Sequence, residues 1–408
     1  MKYRALSSIF YSDNNKYLEV YKNRFNSEST YRFNFRINGN PAFLVINHDI
    51  LQKVEYIMEL DRELVKKMNR VPDIALSQYK KKCLIDEVRM TNEIEGVAST
   101  RKEINDILSD KTDKNKNRRL YGLVKKYQLL GEEDIKLSKC EDIRKIYDEL
   151  VLKEVLEEDI SNEPDGLIFR KDKVYVKNSH GKTIHTGVYP EEEILKSMTD
   201  GLEILNNEDY DFLIRIAVFH YIFAYIHPFY DGNGRTTRFI SSYLLSQKLQ
   251  NLISYKLSHT IKENINTYYK SFKEANDEKN KGDLTMFVMK FFDILIRALE
   301  DLNDSLDERG NQLKFFENIA SKAAGKDDKK ANLLFILVQN TLFGDEGLSI
   351  EELCDIFNTD KYNLPNIGES KLRNSLKELE QQGVLYITKD GRKKLYDVNI
   401  DVMSNLYL

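Results

Sequence analysis

The sequence predicts a mainly helical protein that also carries small β-hairpins. Hydrophobic side chains make up 41% and charged ones 31% of the 408 residues, which is enough apolar surface for a full core in two or three domains. From about residue 50 to about residue 305, most apolar residues recur with the 3.6-residue period of an amphipathic helix. Short β-rich segments, each built around a turn sequence, are the exceptions.

Composition also limits the functions and partners that we expect. The formal net charge is -4, from 62 basic and 66 acidic residues, so the whole protein does not attract nucleic acid or acidic membranes. Three widely spaced cysteines without a C-x-x-C pair indicate a reducing compartment. The N-terminus has no apolar signal region, and the longest apolar run, residues 212–226, is too short to span a membrane. We therefore expect a cytoplasmic protein without membrane contact.

The first predicted element is a hairpin near the N-terminus. Its first strand contains YRFNFRI, in which apolar and polar residues alternate, and Asn38-Gly39 follows, a dipeptide that favours a type I′ turn. A helix with an apolar stripe comes next, beginning near Asn47 or Asp49. We assign residues 1–78 to this N-terminal hairpin and helix region.

A second hairpin is predicted inside the helical part of the chain, at GLIFRKDKVYVKNSHGKTIHTGVYP, residues 166–190. Two β-rich runs flank a turn sequence at residues 178–181, and a helix start at Pro190 follows. Hairpins of this kind either cover a core or bind an extended peptide at a free edge by main-chain hydrogen bonds.

The C-terminal part, residues 330–408, has its own pattern of three helices followed by two strands around Asp390-Gly391. Residues 306–329, which are polar and small, predict a linker or connecting helix. The pattern resembles a winged-helix domain. Such a domain would bind DNA through Lys371, Arg373 and Lys377 of its third helix and the basic residues 392–394 of its wing, or it would serve as a packing or protein-binding module. Because residues 330–408 contain 9 basic and 12 acidic side chains, their charge does not favour DNA.

The most informative stretch is Ile226 to Phe239, IHPFYDGNGRTTRF. It joins a strongly apolar helix, residues 212–226, to a second helix. The N-terminus of that second helix offers free N–H groups and a partial positive charge to an anion. Glycines let the backbone approach a ligand closely. Arg235 and Arg238 lie where the helix dipole disfavours cations, which is explained if they hold a di- or triphosphate. The alternative is an ordinary helix-loop-helix whose arginines form surface ion pairs.

Two further side chains of this stretch suit catalysis at a polyphosphate. Asp231 is free to help hold Mg²⁺, which needs few protein carboxylates when phosphates supply other ligands. His227 ends the apolar helix and has a proton affinity suited to a general base near neutral pH.

These residues carry a resemblance to a known family. HPFYDGNGRTTR matches every fixed position of the Fic (filamentation induced by cAMP) signature H-x-F-x-[DE]-G-N-G-R-x-x-R, and the resemblance extends from about residue 80 to 300. It implies a Fic-type helical core over residues 79–305. It further implies that AMP is moved from ATP to a hydroxyl side chain of a target protein, or of the protein itself, with loss of pyrophosphate.

The resemblance also implies roles for the motif residues. His227 would activate the hydroxyl, Asp231 would hold Mg²⁺, and Phe229 would anchor the loop in the core. The phosphates of ATP would be bound by Gly232, Asn233, Gly234, Arg235 and Arg238. The second hairpin would be the flap that docks a target, with Thr186, Gly187 and Val188 as contact residues.

An inhibitory segment is implied by a second resemblance. TNEIEG, residues 91–96, matches the Fic inhibitory motif [ST]-x-x-x-E-[GN] at Thr91, Glu95 and Gly96. In that family the glutamate reaches the second motif arginine, here Arg238, and blocks the γ-phosphate. The charges agree, because Glu95 near a helix C-terminus and Arg238 near a helix N-terminus each oppose a dipole.

The sequence therefore favours an adenylyltransferase that is autoinhibited by Glu95. Two alternatives stay open. One is a Fic enzyme that transfers another group, such as UMP, GMP or phosphocholine, or that removes AMP. The other is a transcriptional regulator in which the C-terminal domain binds DNA and the Fic core senses a nucleotide.

Overall fold

The computed structural model describes residues 3–110, 114–177, 183–325, 327–362, 364–391 and 393–407. These residues form two compact units. The first comprises Met1–Asp61 and Leu84–Glu300, and the second comprises Arg62–Cys83 and Asp301–Leu408.

The first unit is mainly helical and contains two small hairpins. Its elements in chain order are α1 (Leu6–Ser12), α2 (Asn14–Asn26), β1 (Thr30–Ile37), β2 (Asn40–Val45), α3 (His48–Met68), α4 (Asp73–Ile94), α5 (Arg101–Leu108), α6 (Tyr121–Gln128), α7 (Cys140–Tyr147), α8 (Lys153–Glu158), β3 (Tyr175–Lys177), β4 (Thr183–Thr186), α9 (Glu191–Asn206), α10 (Phe212–Ile226), α11 (Asn233–Ser246), α12 (Leu257–Glu263), α13 (Ile265–Ala275) and α14 (Thr285–Ala324). Helices α3, α4 and α14 each contribute residues to both units.

The predicted N-terminal hairpin is confirmed. Strands β1 and β2 pair antiparallel, and Ile37 lies opposite Asn40 across the turn. Asn38 and Gly39 have φ angles of 48° and 78°, which are the left-handed values that a type I′ turn requires. The alternation of the sequence is preserved in the structure, because Phe33, Phe35 and Ile37 are all buried.

Helix α10 is the buried centre of the first unit. Asp211 caps it by accepting hydrogen bonds from the main-chain N–H groups of Leu213 and Ile214. Eleven of its fifteen residues are buried, as expected for a helix that is apolar nearly all round. Helix α9 packs closely against it, because a Cβ on Gly201 would lie 2.8 Å from the Ile222 side chain. The loop that follows α10 is therefore held by a rigid helix.

The second hairpin is also present. Strand β3 pairs antiparallel with β4, with Tyr175 opposite Thr186. The turn predicted at residues 178–181 lies outside the described residues.

The second unit contains the helices and the hairpin predicted for the C-terminal part. Its later elements are α15 (Asp328–Phe343), β5 (Leu348–Ser349), α16 (Ile350–Asn358), α17 (Glu369–Gln381), β6 (Leu385–Asp390), β7 (Lys393–Val398) and α18 (Ile400–Tyr407). Strands β5, β7 and β6 form one sheet in that order. The winged-helix assignment stays a prediction, and Arg392 of the predicted wing lies outside the described residues.

Two observations bear on the domain organisation. The compact units do not end at the predicted boundaries after residues 78 and 305, because residues 62–83 belong with the C-terminal residues. Most of the predicted linker, 306–329, is helical, since α14 continues to Ala324 and α15 begins at Asp328. Among the described residues, no helix combines the length and the apolar character that a membrane span would need.

Candidate active site

The loop between α10 and α11 begins with a left-handed residue. His227 has φ 53° and ψ 63°, and its main-chain N–H donates to the carbonyl of Phe223. A left-handed conformation is uncommon for a residue with a Cβ and costs free energy unless the surroundings hold it. His227 is thus turned out of the helix by the fold around it.

An aromatic anchor and an asparagine fix the middle of the loop. The ring of Phe229 stacks on Tyr147 with a centroid separation of 3.6 Å, and Phe229 is fully buried. The side chain of Asn233 accepts a hydrogen bond from the N–H of Phe229 and donates one to its carbonyl, at 2.9 and 2.8 Å. Asn233 therefore shapes the loop through its side chain, and only its main chain is available to a ligand.

At each of the two glycines of the loop, a neighbouring side chain leaves no room for a Cβ atom. Gly232 caps α11 with φ 76°, and a Cβ there would lie 2.9 Å from the side chain of Val151. A Cβ on Gly234 would collide with the carboxylate of Glu95 and would lie 2.9 Å from Nη1 of Arg238. The first turn of α11 thus has its backbone open to an anionic group, and a carboxylate of the same chain occupies that position.

The two motif arginines contact different partners. Arg235 is fully buried, and its Nη1 donates to Oε2 of Glu154 at 2.6 Å. Its Nη2 lies 3.7 Å from Oδ2 of Asp231. Nε and Nη2 of Arg235 have no hydrogen-bond partner among the described residues. Burial raises the pKa of Glu154 to about 7, although Arg235 opposes this shift.

Arg238 is held by the end of helix α4. Its Nε donates to the hydroxyl of Thr91 at 2.8 Å, and its Nη2 donates to the carbonyl of Thr91 at 2.9 Å. The same Nη2 lies 2.8 Å from Oε1 of Glu95. The expected contact between Glu95 and Arg238 is therefore present, and its inhibitory role stays a prediction.

The surroundings of His227 favour a neutral imidazole. Burial lowers the pKa of His227 to about 4; His185 and Arg170 act in the same direction, and Glu95 opposes them. A neutral imidazole can accept a proton. The sequence alone had led us to expect an ordinary histidine pKa, because the burial of the loop cannot be seen in the motif.

The flap is tied to the loop by hydrogen bonds. The N–H of Val188 donates to the carbonyl of Ile226 at 3.0 Å, and the N–H of Gly187 donates to Val174 at 3.1 Å. Gly187 is buried, whereas Thr186 is exposed. Of the three predicted docking residues, Thr186 thus has an exposed side chain, while the N–H groups of the other two are already used within the chain.

Asp231 is the motif carboxylate that could hold a metal ion. Its side chain is 39% exposed, and the described residues contain no group of three or more His, Cys, Asp or Glu side chains suited to a metal. Mg²⁺ commonly takes one or two protein carboxylates and completes its shell with water and substrate phosphates. Asp231 therefore fits a Mg²⁺ ion that arrives with a nucleotide.

Sequence reasoning missed two charged residues of this region, Glu154 and Glu87. Nothing in the charged segment KEVLEE marks Glu154, because its partner is 81 residues away. Glu87 is buried and accepts from the N–H of Ser258 through both carboxylate oxygens; burial raises its pKa to about 7. A signal was available for Glu87, since the spacing of four residues to Thr91 and again to Glu95 indicates one helix face.

Comparison with known proteins agrees with this geometry. Residues 137–245 match the model of the Fic/DOC family. A Fic family protein from Desulfovibrio desulfuricans is 19% identical, over 87% of this chain and 97% of its own, with a TM-score of 0.51.

Two further solved structures are less similar. A Fic domain-containing signaling protein from Bacteroides thetaiotaomicron is 18% identical over 62% of this chain and 97% of its own, with a TM-score of 0.43. Fic-1 from C. elegans is 18% identical over 63% of this chain and 74% of its own, with a TM-score of 0.42. The residues matched to the family model include the flap, His227 and both motif arginines, but not Glu95. The chain therefore contains a Fic/DOC family domain, at residues 137–245.

Proposed function

We propose that the protein is an autoinhibited nucleotidyltransferase that moves AMP from ATP to a hydroxyl side chain of a target protein or of itself. Fic domain proteins commonly transfer nucleotide-derived groups to proteins, which supports the reaction class. The observation that carries the proposal is the carboxylate of Glu95, which lies against Gly234 and 2.8 Å from Arg238. A site that holds a carboxylate there has the charge and the open backbone to hold a phosphate.

The phosphates of ATP would bind at the N-terminus of α11. Main-chain N–H groups of the first turn and the guanidinium of Arg238 would supply positive charge there. Arg235 would add positive charge through Nε and Nη2, which have no hydrogen-bond partner among the described residues, while Glu154 holds its Nη1. Mg²⁺ bound at Asp231 would neutralise charge on the phosphates and the leaving group.

The chemical step would need one base and one acceptor. Neutral His227 would take the proton of the target hydroxyl, and the hydroxyl oxygen would attack the α-phosphorus of ATP. A new oxygen–phosphorus bond forms as the bond to pyrophosphate breaks, and pyrophosphate leaves. The flap would hold the target so that its hydroxyl approaches in line with the leaving group.

Glu95 would act as the brake in this scheme. Its carboxylate and the γ-phosphate require the same guanidinium, so they exclude each other electrostatically. Any signal that withdraws the end of α4 would free Arg238 for ATP. Such control is a population shift between a blocked and an open site.

Labelled nucleotides test the proposal. Purified wild-type protein and a Glu95→Gly variant are incubated with α-labelled ATP, GTP, CTP or UTP, with Mg²⁺ or a chelator, and a parallel sample receives γ-labelled ATP. We expect covalent label from α-labelled ATP, stronger in the variant and abolished by the chelator. Label from the γ-phosphate would indicate a kinase instead. No covalent label from any nucleotide, in the variant and with Mg²⁺, would overturn transfer.

A further inference from the structure

Arg170 lies between the flap and the loop that carries His227, outside the Fic sequence motif. Its guanidinium donates to main-chain carbonyls of three segments. Nη1 donates to Asp172 at 2.5 Å and Nη2 to Val188 at 2.8 Å, while Nε donates to His227 at 3.0 Å. Nη2 also approaches the carbonyl of Ile226, at 3.4 Å. One side chain thus joins its own loop, the base of the flap and the end of α10.

The burial of this cation needs an explanation. Arg170 is fully buried, and among the described residues it forms no ion pair with a carboxylate. Burial lowers the pKa of Arg170 to about 10. Burying an unpaired charge is costly, and the carbonyls at the C-terminus of α10 offer only the partial negative charge of the helix dipole. A purely packing role would be filled at lower cost by an apolar side chain.

The neighbouring backbone is shaped around this guanidinium. A Cβ on Gly187 would lie 2.5 Å from Nη2 of Arg170 and 2.8 Å from the side chain of Val174. The main-chain N–H of Arg170 donates to the carbonyl of Pro228 at 3.3 Å, and that of Val188 donates to Ile226. The flap base and the catalytic loop are therefore bonded through both the main chain and the side chain of one residue.

We propose that Arg170 is a positioning residue, which fixes the base of the flap relative to His227 so that a docked hydroxyl meets the imidazole. The inference rests on the proposed function, in which the flap holds the target and His227 takes its proton. Reacting groups must be placed within a few tenths of an ångström, and a displacement of about 1 Å can cost about 100-fold in rate. Nucleotide binding should not depend on Arg170, because among the described residues its hydrogen bonds go to Asp172, Val188, Ile226 and His227 rather than to Arg238 or the first turn of α11.

The test uses the full-length chain with Glu95→Gly, so that the brake does not limit the rate. Arg170→Met and Arg170→Lys are compared with Arg144→Gln as a matched control. Arg144 also donates to the same loop, through Nη1 to the carbonyl of Ile168, but its other bond goes to Asp148. Self-labelling from α-labelled ATP is measured against ATP concentration, which separates the maximal rate from the half-saturating concentration.

We expect Arg170→Met to lower the maximal rate roughly 10- to 100-fold while the half-saturating ATP concentration changes less than about twofold. Arg170→Lys should recover only part of the rate, because an ammonium group cannot reach all of the carbonyls. Arg144→Gln should keep the rate of the parent. Gly187→Ala, which pushes on the guanidinium without removing it, should also lower the maximal rate.

Amide hydrogen exchange tests the role of Arg170 without depending on the transfer reaction. Exchange at Val188 and His227 should increase in Arg170→Met and stay unchanged in Arg144→Gln, even if no transfer is ever detected. The proposal is overturned if Arg170→Met leaves this exchange unchanged. It is also overturned if the maximal rate and the affinity for ATP fall together in Arg170→Met. A general loss of folding would have this effect, and Arg170→Lys and Gly187→Ala would then show it too.

Discussion

Helices α11 and α17 begin alike and lie in opposite environments. Each has a glycine N-cap, Gly232 in α11 and Gly368 in α17. Each places a basic residue at its third position, Arg235 or Lys371, and a second one within the next turn. The two helix starts are therefore similar in the spacing of glycine and basic residues, although α17 also has Glu369 in its first turn.

The structure separates them by burial and by the origin of their partners. Arg235 pairs with Glu154, 81 residues earlier, and Arg238 bonds to Thr91, 147 residues earlier; both arginines are buried. In α17, Arg373 is 58% exposed and pairs with Glu369, four residues before it.

This difference separates the charges that are candidates for a functional site from ordinary surface charges. Cations buried with partners from distant elements require the whole fold to hold them, and such clusters are more typical of functional sites than of surfaces. Exposed ion pairs between neighbours contribute little. Lys371 is also paired, with Asp327 at 3.3 Å, so carboxylates hold two of the three basic residues of α17, and DNA binding remains an unfavoured prediction.

The largest effect on labelling should come from a substitution in the loop that precedes α11. In a Glu95→Gly background, His227→Ala should lower covalent labelling from α-labelled ATP by about 10²- to 10⁴-fold, because the general base is lost. Affinity for a fluorescent ATP analogue should stay unchanged, since the phosphates are held elsewhere. Lys371→Ala on α17 serves as the control and should label normally. Labelling by His227→Ala at the parent rate would remove His227 from the mechanism.

The buried pair of α11 should matter more for stability than any pair of α17. Glu154→Ala leaves Arg235 buried without its ion-pair partner, so the free energy of unfolding should fall by about 3–5 kcal/mol. Urea unfolding measures this loss. Glu154→Gln retains an acceptor for the guanidinium and should lose less. A loss below about 1 kcal/mol for Glu154→Ala would mean that water or another group compensates Arg235.

A smaller effect, of opposite sign, is expected where α4 meets α11. Glu95→Gly should raise self-labelling by about 5- to 150-fold, the usual range of a coupling free energy between two states. Combining it with Arg238→Ala should abolish the gain, because the phosphate contact released by Glu95 is then missing. The two substitutions should be strongly non-additive, as expected for residues in contact. Wild-type labelling by Glu95→Gly at saturating ATP and Mg²⁺ would show that Glu95 is not the brake.

The smallest effect is expected on α17. Glu369→Ala removes the exposed partner of Arg373 and should change the free energy of unfolding by less than about 0.5 kcal/mol. Labelling should be unaffected. The same urea titration as for Glu154→Ala gives the comparison directly, and a loss as large as that of Glu154→Ala would break the distinction between the two helices.

Local rules allowed much of the fold to be predicted, although strand β5 and helix α18 were not predicted. The type I′ turn at Asn38-Gly39, the all-round apolar helix α10, and the three helices and two strands predicted after residue 330 depend on residues that are close in sequence, and each is present. The same holds for the loop from His227 to Arg238, because its glycines, acid and basic residues are specified within twelve positions. Sequence by itself therefore determined which side chains are concentrated at the N-terminus of α11.

Only the tertiary structure decided what these side chains contact. Burial of the loop lowers the pKa of His227. The packing of α8 places Glu154 beside Arg235, and the packing of α4 places Thr91 and Glu95 beside Arg238. Arg170 contacts both the base of the flap and the end of α10 only because the fold brings these two segments together. Contacts of this kind join residues tens of positions apart, and their energies depend on desolvation. A periodicity or a motif does not encode desolvation, because it is a property of the assembled core.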